Sequence, residues 1–190
     1  MARRRVVTLF GSSRPHVNDA DYETARELGR LLAAAGFAIC NGGYGGTMEA
    51  SARGAREAPG DPGQSGPVTI GVTCEAFASR AANAWIEREI KTRTLFERIT
   101  RLLETGDAYV VLSGGTGTLL ELAAAWESIH KGFLPERPIL LLGRHWTGVL
   151  EAVKREPPLP GAPDPLRNVH LSETPVECVN LLVQLLARHT

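Results

Sequence analysis

Two stretches of this chain repeat one short design, and any fold must accommodate both. In the first, the apolar run Ala108-Tyr-Val-Val-Leu112 is followed by Ser113-Gly114-Gly115-Thr116-Gly117. A helical composition then begins at Thr118, with Leu-Leu-Glu-Leu-Ala-Ala-Ala-Trp. In the second, Phe37-Ala-Ile-Cys40 leads into Gly42-Gly43-Tyr44-Gly45-Gly46, and a small-residue helical stretch follows from Thr47. In each copy two glycines open the turn, a third stands two residues later, and a glutamate (Glu121, Glu49) falls seven residues after the first glycine. Short apolar runs closed by glycine read as buried parallel strands. A strand, a Gly turn and a helix in succession aim free backbone N–H groups at an anion. Two such corners in one parallel sheet both lie at its carboxyl edge, where open α/β folds bind ligands. Neither copy is G-x-G-x-x-G, and neither ends in Gly-Lys-Ser/Thr, so dinucleotide and ATPase loops are not indicated.

The remaining periodicities extend this pattern. Val6 to Phe10 reads as a first strand and Asp21 to Ala35 as an amphipathic helix, with Tyr22, Ala25, Leu28, Leu31 and Leu32 on one face and Gly36 as its terminator. Thr47 to Glu57 is a helix and Val68 to Thr73 a strand. Ala58 to Pro67, with three Gly and three Pro, is a surface connection. The charged stretch Ala81 to Gly106 is expected to be mostly helical, with Arg88, Glu89, Arg93 and Glu97 forming a salt-bridged face. Thr118 to Lys131 is a long helix, Pro138 to Leu142 a strand and Trp146 to Lys154 a helix. After the proline-rich loop Glu156 to Pro165 come a short strand at Val169 to Leu171 and a terminal helix at Thr174 to Arg188. Alternating strands and helices predict a single-domain, Rossmann-like, doubly wound α/β fold with a mostly parallel sheet spanning residues 1–190.

Composition narrows the partners. Arginine plus lysine and aspartate plus glutamate both number 21, so the net charge is zero and no nucleic-acid or anionic-membrane partner is expected. No apolar run has the length of a membrane span, and the chain passes directly into its first strand without a leader. Cys40, Cys74 and Cys178 are dispersed and suit reduced core thiols in a cytoplasmic protein. The five histidines lack metal-ligand spacing, so neither a metal nor another cofactor is expected.

The candidate site gathers at the sheet edge. Gly11, Ser12, Ser13 and Arg14 follow the first strand and offer hydroxyls and a cation to an anion. Gly43, Gly45, Gly46 and Thr47 supply the second turn. Gly114, Gly115, Thr116, Gly117 and Thr118 supply the first, where the glycines let a ligand approach the backbone and Thr118 caps the helix or donates to a phosphate. Glu121, about one turn into its helix, points back toward the mouth of the site. Glu49 occupies the equivalent place in the other copy.

Gly114-Gly-Thr-Gly-Thr-Leu-Leu-Glu121 resembles the P-G-G-x-G-T-x-x-E signature of the Lonely Guy family, phosphoribohydrolases acting on cytokinin riboside 5′-monophosphates. The resemblance runs from about Gly11 to Leu142, including the Gly-Ser-Ser after the first strand. It implies that Arg98, nine residues before Asp107, and Glu121 form the catalytic pair. It also implies a nucleoside 5′-monophosphate substrate such as AMP and a homodimer or larger assembly. Three positions depart from the pattern: Ser113 replaces the leading Pro, Ile99 replaces a Lys that often follows the Arg, and Glu49 in the other Gly turn is the third. Hydrolysing the base–ribose bond passes through an oxocarbenium-like state, which a carboxylate stabilises. Relatives have been labelled lysine decarboxylases, but that chemistry needs a Schiff-base lysine, and Lys91, Lys131 and Lys154 all lie outside the Gly turns. The alternative is a non-catalytic protein that binds or senses a nucleotide in the same pocket.

Overall fold

A computed structural model describes residues 4–59, 69–77, 81–155 and 163–188. In chain order its elements are β1 (Val6–Phe10), α1 (Ala20–Ala34), β2 (Ala38–Asn41), α2 (Thr47–Glu57), β3 (Thr69–Cys74) and β4 (Arg88–Thr92). They continue with α3 (Leu95–Thr105), β5 (Ala108–Val111), α4 (Thr116–His130), β6 (Ile139–Leu142), a 3-10 turn at Arg144–Trp146, α5 (Thr147–Lys154), β7 (Val169–Ser172) and α6 (Pro175–Ala187). All seven strands form one sheet in the order β4-β3-β2-β1-β5-β6-β7, and every pairing is parallel. This is a doubly wound α/β fold of the Rossmann-like type.

The strands explain the two layers of helices. Successive strand residues face opposite sides of a sheet. Val7, Leu9, Ile39, Val110 and Leu140 therefore enter a core with Leu28 and Leu32 of α1 and Leu182 of α6. Their neighbours Phe10, Cys40, Tyr109, Val111 and Leu141 enter a second core with Leu102 of α3, Leu122 and Ile129 of α4 and Leu150 of α5. Both faces are covered, which is why these strands are buried along their length and mostly apolar rather than alternating. From β1 the chain winds outward through β2 and β3 to β4, then returns across the sheet to β5 on the other side of β1. The crevice between the β1 and β5 loops is the topological switch point. There the Ser12 amide donates to the Ser113 carbonyl over 3.1 Å.

Two expectations are corrected. The stretch from Ala81 is not mostly helical: Arg88–Thr92 is an edge strand, in register with Ile70 to Cys74 of β3. Its charges mark a guarded edge rather than a helix face, since an outer strand of a sheet is commonly protected by Lys, Arg and Glu. Glu89 accepts from the Thr73 hydroxyl at 2.7 Å across the strands. The helix begins only at Leu95, where Thr94 caps the Glu97 amide. The second correction is at α4, which starts at Thr116, so Thr118 lies inside its first turn and does not cap it; the cap is Gly115, and no side chain bonds there. The connection at Ala58–Pro67 and the proline-rich loop at 156–165 fall largely outside the described residues. No helix among the described residues is long and apolar enough to cross a membrane.

Candidate functional site

A cleft opens at the switch point. One wall is the β1 loop, with Gly11, Ser12, Ser13 and Arg14; the opposite wall is the start of α4, with Gly115, Thr116, Gly117 and Thr118. Its floor carries Arg98 of α3 and Glu121 of α4, flanked by Leu9, Gly42, Tyr44, Met48 and Phe77. Past Ser13 and Tyr44 it adjoins a second chamber reaching Gly45, Ala81 and Asn83.

The α4 wall is built to leave its amides available. A helix begins with N–H groups that have no partner within the helix. Most helices cover some of them with a capping side chain, but α4 does not, and its first turn holds no acidic residue. Gly114 explains part of this geometry. A side chain there would collide with Thr118, whose hydroxyl lies 2.1 Å from where the Cβ would stand. Gly115 and Gly117 meet nothing within 4 Å, so their missing side chains leave open space. The result is an uncapped helix N-terminus facing a cleft, an arrangement that favours an anion.

The floor is a buried ion pair. Arg98 Nη1 lies 3.1 Å from Glu121 Oε1, and the residues are 6% and 9% exposed. Arg98 Nε donates to the Val72 carbonyl at 2.8 Å. Nη2 has no hydrogen-bond partner among the described residues and lies against Gly42, where a Cβ would come within 1.8 Å of it. Two of the three nitrogens thus hold the guanidinium in place, and the third is left to the cleft. Burial pushes the Glu121 carboxyl up to about 7; Arg98 pulls it the other way, but desolvation is the larger influence. Beneath the pair, burial pushes the Cys40 thiol up to about 12, so it remains a thiol and not a nucleophilic thiolate.

The second Gly turn plays a different part from the first. The Thr47 amide and hydroxyl both donate to the Ser12 carbonyl, at 2.9 and 3.0 Å. Gly46, at φ +71°, lets the Ser12–Ser13 backbone pass where a side chain would strike it. The Gly43 amide is held by Asn41 Oδ1 at 2.8 Å, and its carbonyl accepts from Asn83. Glu49 accepts from the Tyr22 hydroxyl at 3.2 Å. Gly46 and Thr47 thus support the β1 loop from behind, while Gly43 is held by Asn41 and Asn83 and Glu49 by Tyr22; none of the four lines the cleft, and Gly45 lines only the adjoining chamber. Gly114 stands behind Thr118. The other sequence-predicted residues meet in the cleft. The sequence reading missed Leu9, Gly42, Tyr44, Met48 and Phe77. Gly42 and Tyr44 stood inside the quoted Gly turn, whereas nothing near Phe77 in sequence announces its place.

The all-parallel seven-stranded sheet with helices on both faces and a cleft at its switch point defines a protein of the Rossmann-like doubly wound α/β class. The chain belongs to the SLOG cluster4 family, whose model matches residues 4–155. It is 33% identical over 122 residues to the cytokinin riboside 5′-monophosphate phosphoribohydrolase of Mycobacterium tuberculosis, a match spanning 63% of this chain and 61% of that protein. It is 28% identical over 126 residues to an uncharacterized protein of Archaeoglobus fulgidus, spanning 66% of this chain and 78% of that one. The fold is similar to that of the molybdenum cofactor binding protein from Rippkaea orientalis, with a TM-score of 0.76 at 20% identity, covering 98% and 99% of the two chains. The family match and the mycobacterial relative agree with the resemblance to the Lonely Guy enzymes.

Proposed function

We propose that the protein is a nucleoside 5′-monophosphate N-ribohydrolase, releasing free base and ribose 5-phosphate from AMP-like or cytokinin riboside monophosphates. The observation that carries this reading is the buried Arg98–Glu121 pair on the floor of a cleft walled by an uncapped helix N-terminus. The 5′-phosphate binds at Gly115 to Thr118, with Ser12, Ser13 and Arg14 opposite. The ionised Glu121 stabilises the oxocarbenium-like sugar and takes a proton from the attacking water. The water oxygen bonds to C1′ as the C1′–N bond breaks, and the departing base gains the proton. Arg98 Nη2 offers a charged donor in the cleft. The 33% identical phosphoribohydrolase supports this assignment. A cytoplasmic setting and a homo-oligomeric state accompany it.

A second reading keeps the cleft and drops the chemistry, making the protein a nucleotide binder or carrier. It is favoured by the fold shared with a molybdenum cofactor binding protein and by the mutual engagement of Arg98 Nη1 and Glu121 Oε1, which ties part of each group to the other. Incubation with AMP, followed by chromatography for adenine and ribose 5-phosphate, separates the two. Base release supports the hydrolase. Calorimetric AMP binding without release from any common nucleotide supports the binder. Equal affinity for AMP and adenosine would remove the phosphate site from both.

A further inference from the structure

Arg98 is a largely buried cation on the cleft floor, and among the described residues Glu121 is its one carboxylate partner. A buried guanidinium needs more than that to stay in place. Two aromatic rings meet the need. The guanidinium carbon lies 5.6 Å from the centroid of the Tyr44 ring and 5.7 Å from that of Phe77. Both distances are within the range at which a ring face attracts a cation, and the attraction is stronger where water is excluded. The rings lie 6.1 Å apart and are tilted by 57° to one another.

Both rings are fixed to the end of β3. The Cys74 amide donates to the Tyr44 hydroxyl at 2.8 Å, and that hydroxyl approaches the Cys74 carbonyl at 3.3 Å. The Phe77 amide donates to the same carbonyl at 3.1 Å. The Arg98 Nε bond goes to Val72 of the same strand. One strand end therefore holds the two rings and one edge of the guanidinium together, while Glu121 approaches from α4.

We propose that Tyr44 and Phe77 are positioning residues for Arg98, both rings packed against its guanidinium as a two-ring seat so that Nη2 stays turned to the cleft. The catalytic consequence rests on the hydrolase reading above; the seat itself does not. Neither ring is needed for hydrogen bonding to Arg98, so the effect runs through the ring faces and through the distance from Arg98 to Glu121.

The test uses Phe77→Leu, Phe77→Tyr and Tyr44→Phe in the full chain, each alone and with Arg98→Met. The Glu121 titration is followed by carbon-13 carboxyl NMR, which needs no turnover. Phe77→Leu frees Arg98 to move from Glu121 and is expected to raise the Glu121 midpoint by roughly half a pH unit or more, about a threefold change in proton affinity. Phe77→Tyr, which keeps the ring face, is expected to stay near wild type, and Tyr44→Phe, which keeps the face but loses both bonds to Cys74, to fall between wild type and Phe77→Leu. In the Arg98→Met background Phe77→Leu should add nothing, because the seat has nothing to hold. If the protein hydrolyses AMP, Phe77→Leu should lower kcat more than it raises KM. An unchanged Glu121 midpoint in Phe77→Leu, or an equal shift with and without Arg98, overturns the proposal. So does a rise in KM alone, which would mean that the ring meets the substrate and not Arg98. Absence of hydrolysis in wild type overturns the hydrolase reading while the NMR arm still decides the seat.

Discussion

Arg98 Nη1 stands 3.1 Å from Glu121 Oε1 across the floor of the cleft, joining α3 to α4. If this pair performs the chemistry, changing its charge should affect the transition state more than the bound ground state. Glu121→Gln retains the volume and an acceptor oxygen. It is expected to lower kcat roughly 100-fold or more, about 3 kcal/mol, with little change in AMP affinity. Arg98→Ala should also lose turnover and weaken binding as well. Glu97→Gln is the control: Glu97 is turned away to accept from the Arg93 amide at 2.9 Å, so steady-state kinetics should be unchanged. Undiminished hydrolysis by Glu121→Gln would remove the catalytic assignment.

The raised Glu121 carboxyl has two consequences with pH. Activity that needs the ionised form should increase with pH through about 7 and level off above it. Stability should move the other way. A carboxyl whose folded value lies above its unfolded one binds its proton more tightly in the folded protein. Its favourable contribution is complete below about 4.5 and is lost as pH rises through about 7. The difference across that window is on the order of 3 kcal/mol. Glu27 and Glu57, lowered by Arg30 and Arg26, act in the opposite sense and at lower pH. Subtracting a Glu121→Gln melting series from the wild-type series isolates the Glu121 slope. A flat difference between pH 4.5 and 7 would contradict it.

Two glycines of the cleft should respond oppositely to a methyl group. At Gly42 a Cβ would fall 1.8 Å from Arg98 Nη2 and 2.6 Å from Met48 Sδ. Gly42→Ala must therefore push the guanidinium off its seat, and should cost about 1–3 kcal/mol along with most of any activity. At Gly115 nothing lies within 4 Å, and φ is −99°. Gly115→Ala should melt within about 0.5 kcal/mol of wild type. Calorimetry on the two variants checks the contrast, and equal losses would contradict it.

The outer face of α4 points to assembly. Leu122, Ala125 and Ile129 face the core, yet Leu119 and Leu120 are 42% and 37% exposed on the other side. Ala123 is exposed beside them, and on α3 Phe96 is 71% exposed. A helix that is apolar on both sides is normally covered on both. Light scattering is expected to give a multiple of the 20.5 kDa chain mass, and Leu119→Arg with Leu120→Arg to reduce it. A wild-type mass near 20.5 kDa at micromolar concentration would count against a covered face.

Sequence alone determined the alternating architecture, because period and turn chemistry are local. Val6–Phe10, Thr47–Glu57 and the Gly turn before α4 are readable from a few neighbouring residues each. It also placed Arg14, Ser13 and Glu121 near one sheet edge, since parallel strands bring their following loops to the same end, whereas Arg98 was pointed to only by the family resemblance. What it could not determine was each residue's use. Glu49 and Glu121 hold equal places in two similar turns, yet one accepts from Tyr22 and the other pairs with Arg98. β4 looked like a helix because charge spacing does not distinguish a helix face from a guarded sheet edge. Phe77 and Tyr44 met around Arg98 only because three elements converge at the end of β3. The same burial raised the Glu121 carboxyl, a property of its surroundings that no stretch of sequence contains.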